Sequence, residues 1–227
     1  MSLEIKSGLM DIKIAPSILS ADFCNLQSDL EAVKSADLIH VDVMDSHFVP
    51  NLTIGIPVVK RIAQVSPLPL DVHLMIDSPD VFALDYAFGN VESITFHLRA
   101  AQSPIRLARK IREKGIKACC ALNPAVGLEG LEGILDEFDS VLIMSVEPGF
   151  GGQKFLSSQL SKLSRLKREI EDRGLNTKIE IDGGINKQTI GPACRAGADI
   201  IVAGSAIYGE QDRAQAIREL REIAKRA

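Results

Sequence analysis

Tryptophan is absent from this 227-residue chain and aromatic residues make up only 4% of it, so little is available for stacking nucleic-acid bases. No basic cluster stands out either. Lys and Arg number 26 against 30 Asp and Glu, a formal net charge of −4, which suits neither a polyanion nor an anionic membrane surface. The four cysteines, Cys24, Cys119, Cys120 and Cys194, form no CxxC pair and no disulfide framework, and reduced thiols in a cytoplasm are the reading that follows. Apolar runs such as Ala118–Leu122 and Val141–Met144 fall far short of the roughly 20 residues a membrane-spanning helix needs. Met1–Asp11 is polar, carries two acids, and shows no apolar centre of a signal peptide. A GxGxxG turn is also missing: Ser20-Ala21-Asp22 follows the first strand, which disfavours an open sheet holding a nucleotide.

What is present is the balance of a globular chain, 46% apolar and 25% charged. Short β-branched runs alternate with longer amphipathic stretches. Strands are expected at Ile12–Ile18, Leu38–Val43, Leu70–Leu74, Ser93–His97, Ile116–Leu122, Ser140–Ser145, Lys178–Asp182 and Asp199–Ala203, each apolar enough to be buried on both faces. Helices are expected from an Asp22 cap to Lys34, over Pro57–Gln64, from Ser78 to about Tyr86, from Ser103 to Gly115, over Leu128–Glu137, Ser157–Arg173 and Lys187–Ala196, and from Gln211 onward. Eight strand–helix units imply parallel strands with right-handed crossovers. The fold class is therefore α/β, a single (β/α)8 TIM barrel over residues 12–227, with residues 1–11 as an N-terminal extension.

Active sites of such barrels lie at the C-terminal ends of the strands. Side chains alternate faces, so His40, Asp42 and Met44 share one face of the second strand, and Asp71, His73 and Met75 one face of the third. Asp182 stands at equivalent height on the seventh. Neither His40 nor His73 has an obvious salt partner in the sequence. Burying so many ionisable groups is costly unless they are paired or hold a metal, and His40, Asp42, His73 and Asp182 make a plausible ligand set for one Zn²⁺, Fe²⁺, Mn²⁺ or Co²⁺. Three glycine clusters follow successive strands: Pro148-Gly149-Phe150-Gly151-Gly152-Gln153, Asp182-Gly183-Gly184 and Ala203-Gly204-Ser205-Ala206. Glycine lets backbone N–H groups approach an anion, and the loops after the last two strands commonly hold phosphate in this architecture. A divalent metal, two carboxylates and a phosphate grip suggest proton transfer beside a carbonyl through an enediolate, with Asp42 and Asp182 working on opposite faces of the substrate.

The joint pattern resembles the ribulose-phosphate 3-epimerase family. Ala15-Pro16-Ser17-Ile18-Leu19-Ser20-Ala21-Asp22-Phe23, His40-Val41-Asp42-Val43-Met44-Asp45, His47-Phe48-Val49-Pro50-Asn51, Leu70-Asp71-Val72-His73-Leu74-Met75, Met144 through Gln153, Asp182-Gly183-Gly184-Ile185 and Ala203-Gly204-Ser205-Ala206-Ile207 carry the likeness, from about Ile12 to Tyr208. The resemblance implies a cytoplasmic, metal-dependent isomerase of the pentose phosphate pathway interconverting D-ribulose 5-phosphate and D-xylulose 5-phosphate. Its metal ligands are His40, Asp42, His73 and Asp182, and its acid/base pair is Asp42 and Asp182. Substrate contacts are implied at Ser17, His73, Gly149, Gly151, Gly152, Asp182, Gly183, Gly184, Gly204 and Ser205, with Met44, Met75 and Met144 capping the metal site. The partner is a phosphorylated ketose, with no nucleic acid or membrane, and the barrel is expected to associate with copies of itself. Two positions depart from the family pattern. Ser46 stands where glycine is usual, and is strained if the turn needs positive φ. Arg99 stands where an acid is common, a surface or interface change. His47 and His97 are read as non-ligands.

Rival readings are epimerisation of a hexulose phosphate such as D-allulose 6-phosphate, a non-catalytic phosphate-binding barrel, and the decarboxylase and aldolase branch of related barrels. That branch resembles Asp71-x-His73-x-x-Asp77 in spacing but places Lys where His73 stands, so its proton donor is missing here.

Overall fold

The computed structural model describes residues 12–227, and the extension expected over residues 1–11 lies outside them. Eight strands appear: β1 (Lys13–Pro16), β2 (Ile39–Met44), β3 (Leu70–Met75), β4 (Val91–His97), β5 (Lys117–Leu122), β6 (Ser140–Met144), β7 (Lys178–Asp182) and β8 (Ile200–Ala203). All pair in parallel, in the order β1-β8-β7-β6-β5-β4-β3-β2. The two ends of that row meet at one bridge, Ser17 to His40, so the sheet curls into a nearly closed cylinder. The expected barrel is the fold.

Alternation along the strands sorts the core into two zones. Ile39, Val41 and Val43, Leu70, Val72 and Leu74, Ile94 and Phe96, Val141 and Ile143, and Ile179 and Ile181 all belong to one large apolar cluster beneath the helices. The intervening positions point into the cylinder. In β2, β3, β4 and β7 these are buried polar residues: His40, Asp42, Asp71, His73, Ser93, Thr95, His97 and Glu180. A barrel interior is ordinarily filled by branched apolar side chains, so this polar column has to earn its place by pairing or function.

The end of the cylinder where the strands begin is clasped by a device used three times. Asp37, Asp139 and Asp199 stand just before β2, β6 and β8. Their backbone N–H groups donate to the carbonyls of Ile14, Ala118 and Ile179 at 3.0, 2.9 and 2.7 Å. Their carboxylates accept the N–H groups of the same three residues at 2.7, 2.9 and 2.9 Å. Each aspartate thus satisfies strand-edge groups that buried backbone cannot leave unpaired.

Helices cover the outside: α1 (Leu26–Ala32), α2 (Ile56–Val65), α3 (Pro79–Phe82), α4 (Pro104–Arg112), α5 (Gln159–Asp172), α6 (Ile190–Arg195), α7 (Ser205–Tyr208) and α8 (Arg213–Lys225). No helix among the described residues is long and apolar enough to cross a membrane. Three expectations need correction. Asp22 is not the helix cap: its carboxylate accepts from the Cys24 N–H at 2.9 Å and the Asn25 amide at 2.6 Å, holding a turn before α1 begins. Leu128–Glu137 is not one helix but two 3-10 turns, Glu129–Leu131 and Leu135–Glu137. Gly130 and Gly133 inside that span each cost a helix about 1 kcal/mol, while Leu131 and Leu135 remain buried from the two turns. The segment from Lys187 stays a turn until α6, because the Asn186 side chain accepts from the Gln188 and Thr189 N–H groups at 2.9 and 3.2 Å. Among the described residues the cysteines are free thiols.

Ser46 does take positive φ, at 59°, the one such non-glycine among the described residues. The turn is held by Asp45, whose carboxylate accepts the His47, Phe48 and Asp77 N–H groups, each at 2.8 Å. Left-handed backbone costs an L-residue about 1–2 kcal/mol, partly offset by glycine's freer unfolded chain. Ser46→Gly is therefore expected to stabilise the protein by about 0.5–1 kcal/mol, seen as a higher urea midpoint at an unchanged slope. An unchanged or lower midpoint would show that the turn carries no strain.

Candidate active site

The β2–β3 register sets the site. It pairs His40 with Asp71, Asp42 with His73 and Met44 with Met75, and β6–β7 pairs Met144 with Asp182. Three tiers follow from the floor to the mouth: a lower tier of His40, Asp71 and Glu180, a middle tier of Asp42, His73 and Asp182 with Met144 beside Asp182, and a roof of Met44 and Met75. One ligand atom from each of His40, Asp42, His73 and Asp182 lies within 4.8 Å of all the others. His40 Nε2 is 3.4 Å and His73 Nδ1 3.2 Å from Asp42 Oδ1.

The surroundings aim these atoms inward. Ser17 Oγ donates to Asp42 Oδ2 at 2.6 Å, so Oδ1 is the oxygen that faces the cluster. Asp71 receives Ser93 Oγ at 2.6 Å and stands 2.7 Å from His40 Nδ1. The salt partner that neither histidine shows in the sequence is thus supplied to His40 by the neighbouring strand. His40 Nε2 is buried with no hydrogen-bond partner, although an orphaned buried polar atom is costly. An imidazole nitrogen left bare among two carboxylates and a second imidazole is the donor set of a divalent metal centre, and the residues fit one.

Electrostatics agree. Burial pushes the His40 imidazole down, but Asp42, with Asp71 and Glu180, outweighs it and raises it well above its ordinary value. Burial likewise raises Asp42, yet His40 and His73 more than reverse this and hold its carboxyl well below the usual range. Burial, then the neighbouring Asp42 charge, lifts Asp182 to about 6. Burial and Asp71 push Glu180 well up. The pocket favours a positive charge at its centre, and without a metal a proton on His40 supplies it.

Above the cluster opens a cleft lined by Asp42, Asp182, Met44, Met75, Met144 and the glycines Gly149, Gly151, Gly152, Gly183, Gly184 and Gly204 with Ser205. Every expected capping methionine and every expected glycine therefore lies on one wall system. Ser17 and His73 do not line it: Ser17 sits behind Asp42, and His73 is fully buried. The loops touch closely enough to require glycine at two places. A Cβ on Gly184 (φ 63°) would stand 2.5 Å from the Phe155 backbone nitrogen, and one on Gly183 (φ 122°) 2.8 Å from the Val146 backbone nitrogen. Gln153 pins the β6 loop by donating to the carbonyls of Glu147 and Phe150 at 2.6 and 2.8 Å, and Asn51 donates to the Gly149 carbonyl at 2.9 Å.

His47 is exposed and bonds the Asp45 carbonyl at 2.8 Å, away from the cluster. His97 is no member of the cluster either, but it touches His73, Nε2 to Nε2, at 2.9 Å, and its Nδ1 lies 2.6 Å from Asn123 Oδ1. Burial above all, then His73 and Arg99, pushes its pKa well down, so the ring is neutral. Phe48 packs 4.6 Å from the His97 ring, and the Arg99 guanidinium lies 4.6 Å over Phe48. Arg99 is thus a surface residue with a job, sealing this flank by a cation–π contact. Sequence reasoning did not assign roles to Asp71, Glu180, His97 or Asn123. For Asp71 and Glu180 the available signal was a polar residue two places from a candidate ligand within an apolar strand; His97 and Asn123 had none.

Residues 13–208 match the family model described as the ribulose-phosphate 3 epimerase family. A ribulose-phosphate 3-epimerase of Mycobacterium tuberculosis is 50% identical over 211 residues, 93% of this chain and 92% of that protein. One from Bacillus subtilis is 46% identical over 213 residues, 92% of this chain and 98% of that one. Among solved structures, KGPDC from Streptococcus mutans superposes with a TM-score of 0.69 at 15% identity, covering 95% of this chain and 98% of that one. That last likeness shows a shared barrel and nothing finer.

Proposed function

Because the chain belongs to the ribulose-phosphate 3-epimerase family, we propose that it inverts C3 of D-ribulose 5-phosphate to give D-xylulose 5-phosphate. The observation that carries the reading is the convergence of His40, Asp42, His73 and Asp182 beneath a cleft walled by three glycine loops. His40, Asp42, His73 and Asp182 would hold one divalent ion. When bound, it supplies Lewis-acid stabilisation of negative charge developing on the substrate oxygens.

The chain's own groups do the rest. Backbone N–H groups of the glycine loops grip the phosphate and so fix the sugar's position over the carboxylates. Asp42, held ionised by His40 and His73, is suited to accept the C3 proton. Asp182, from β7 across the cluster, is placed to deliver a proton on the other face, the two roles exchanging in the reverse direction. Ser17 keeps Asp42 oriented. Met44, Met75 and Met144, all buried, keep bulk water from the reacting carbon without offering it a competing proton. Self-association of the barrel belongs to the same reading.

The rivals separate on turnover. D-ribulose 5-phosphate is expected to be epimerised with a kcat/KM at least about 100-fold above that for D-allulose 6-phosphate, since a pocket fitted to one sugar discriminates by a few kcal/mol. Equal or faster turnover of the hexulose phosphate would reassign the substrate. No turnover of either sugar by fully metal-loaded protein would leave a phosphate-binding barrel without catalysis.

A further inference from the structure

His73 can offer the Nδ1 lone pair to an ion only if the proton it keeps sits on Nε2. A neutral imidazole carries one N–H, so the 2.9 Å contact between His73 Nε2 and His97 Nε2 needs one ring to donate and the other to accept. The next contact decides which. His97 Nδ1 lies 2.6 Å from Asn123 Oδ1, and a carbonyl oxygen can only accept. His97 therefore carries its proton on Nδ1, its Nε2 is a lone pair, and His73 is the donor between the two rings.

We propose that His97 and Asn123 are positioning residues that hold the proton of His73 on Nε2, so that Nδ1, 3.2 Å from Asp42 Oδ1, is the nitrogen left to serve an ion at the centre of the cluster. This rests on the metal reading above and extends it to a relay three residues long, drawn from β3, β4 and the loop after β5. The relay is dry. His97 is fully buried, with the Phe48 ring against it and the Arg99 guanidinium over Phe48, so no water can stand in for a lost acceptor. The backbone of Asn123 is tethered in turn by Lys162, whose Nζ donates to its carbonyl at 3.1 Å and to that of Pro124 at 2.8 Å. His40 reaches the same end by a shorter route, through Asp71 alone. An outer partner that fixes a ligand's tautomer is worth about 10–100-fold in metal affinity.

Two measurements test the relay. In metal-free protein labelled with ¹⁵N-histidine, NMR of the ring nitrogens is expected to show His73 protonated on Nε2 and His97 bare on Nε2. A bare His73 Nε2, or a proton on His97 Nε2, would overturn the proposal, whatever the metal affinity. Zinc affinity, measured by competition with a chromophoric chelator, is expected to fall about 10–100-fold in His97→Leu and Asn123→Leu. It is expected to stay within about threefold of the parent in His97→Gln, whose amide oxygen can still accept from His73. Zinc binding by His97→Leu as tight as the parent's would sink the relay but leave the metal reading standing. A parent protein that binds no zinc would sink the metal reading, and the ring-nitrogen spectrum would still decide the tautomer. If the leucine variants fail to fold, the parent spectrum and His97→Gln decide: weak zinc binding by that variant in a parent-like fold counts against the acceptor role.

Discussion

Asp182→Asn is expected to abolish exchange of the substrate's C3 proton with solvent and to lower turnover by about 10⁴-fold, with the barrel intact. The amide keeps the shape of the side chain but cannot take up or release a proton. Near-normal exchange would reject the acid/base role outright. The same substitution is expected to stabilise the metal-free protein at neutral pH. Asp182 is raised in the folded state from 3.8 to about 6, so the fold prefers it protonated. Its contribution to stability is fully present below pH 4 and is lost as pH rises through 6, where ionisation sets a second negative charge beside Asp42. Two units correspond to on the order of 2–3 kcal/mol. Denaturation midpoints with chelator present should therefore favour the Asn variant at pH 8, and the difference should shrink towards pH 4. An advantage that grew on acidification would contradict this sign. Activity here works against apo stability: the group that makes the site chemically useful is one the empty barrel would rather be without.

Stripping the protein of divalent ions with a strong chelator is expected to reduce epimerisation to background, and Zn²⁺, Fe²⁺, Mn²⁺ or Co²⁺ should restore it at about one ion per chain. Metal loading should also raise thermal stability, since an ion at a thousand times its dissociation constant contributes about 4 kcal/mol. His40, Asp42, His73 and Asp182 would have to give up any proton they carry to hold an ion, so binding should weaken as pH falls. Full activity in metal-free protein, verified by elemental analysis, would end the proposed mechanism.

Much of this was readable from the amino-acid order alone. Parallel strands leave an unmistakable trace because their outer faces need apolar residues under the helices, as Ile39, Val41 and Val43 show. The cluster residues were also visible, because His40 and Asp42, and Asp71 and His73, sit two apart and so share a face. The glycine loops were visible because close approach excludes a Cβ, as at Gly183 and Gly184. What escaped was whatever depends on neighbours across the sheet. Asp71 supports His40 only through the β2–β3 register, and Asn123 reaches His97 from a loop 26 residues away. Neither relation has a local signature. The span Leu128–Glu137 failed for another reason. Its leucine spacing satisfies burial equally well from two 3-10 turns, and its two glycines tip the balance.

The cylinder is not stitched equally all round. Seven of its joins are strand ladders, whereas β1 meets β2 at one bridge, Ser17 to His40, and through the clasp of Asp37. Ser17 at the tip of β1 is tied to Asp42 on β2, and Asp42 is in turn a proposed ligand beside Asp182, from the far side of that gap. An ion held there laces the one loose edge of the container. Scarcity of divalent metal in the cell would then erode the standing amount of the protein itself, through exposure of the slackened edge to proteolysis, and not only the rate at which each molecule turns over.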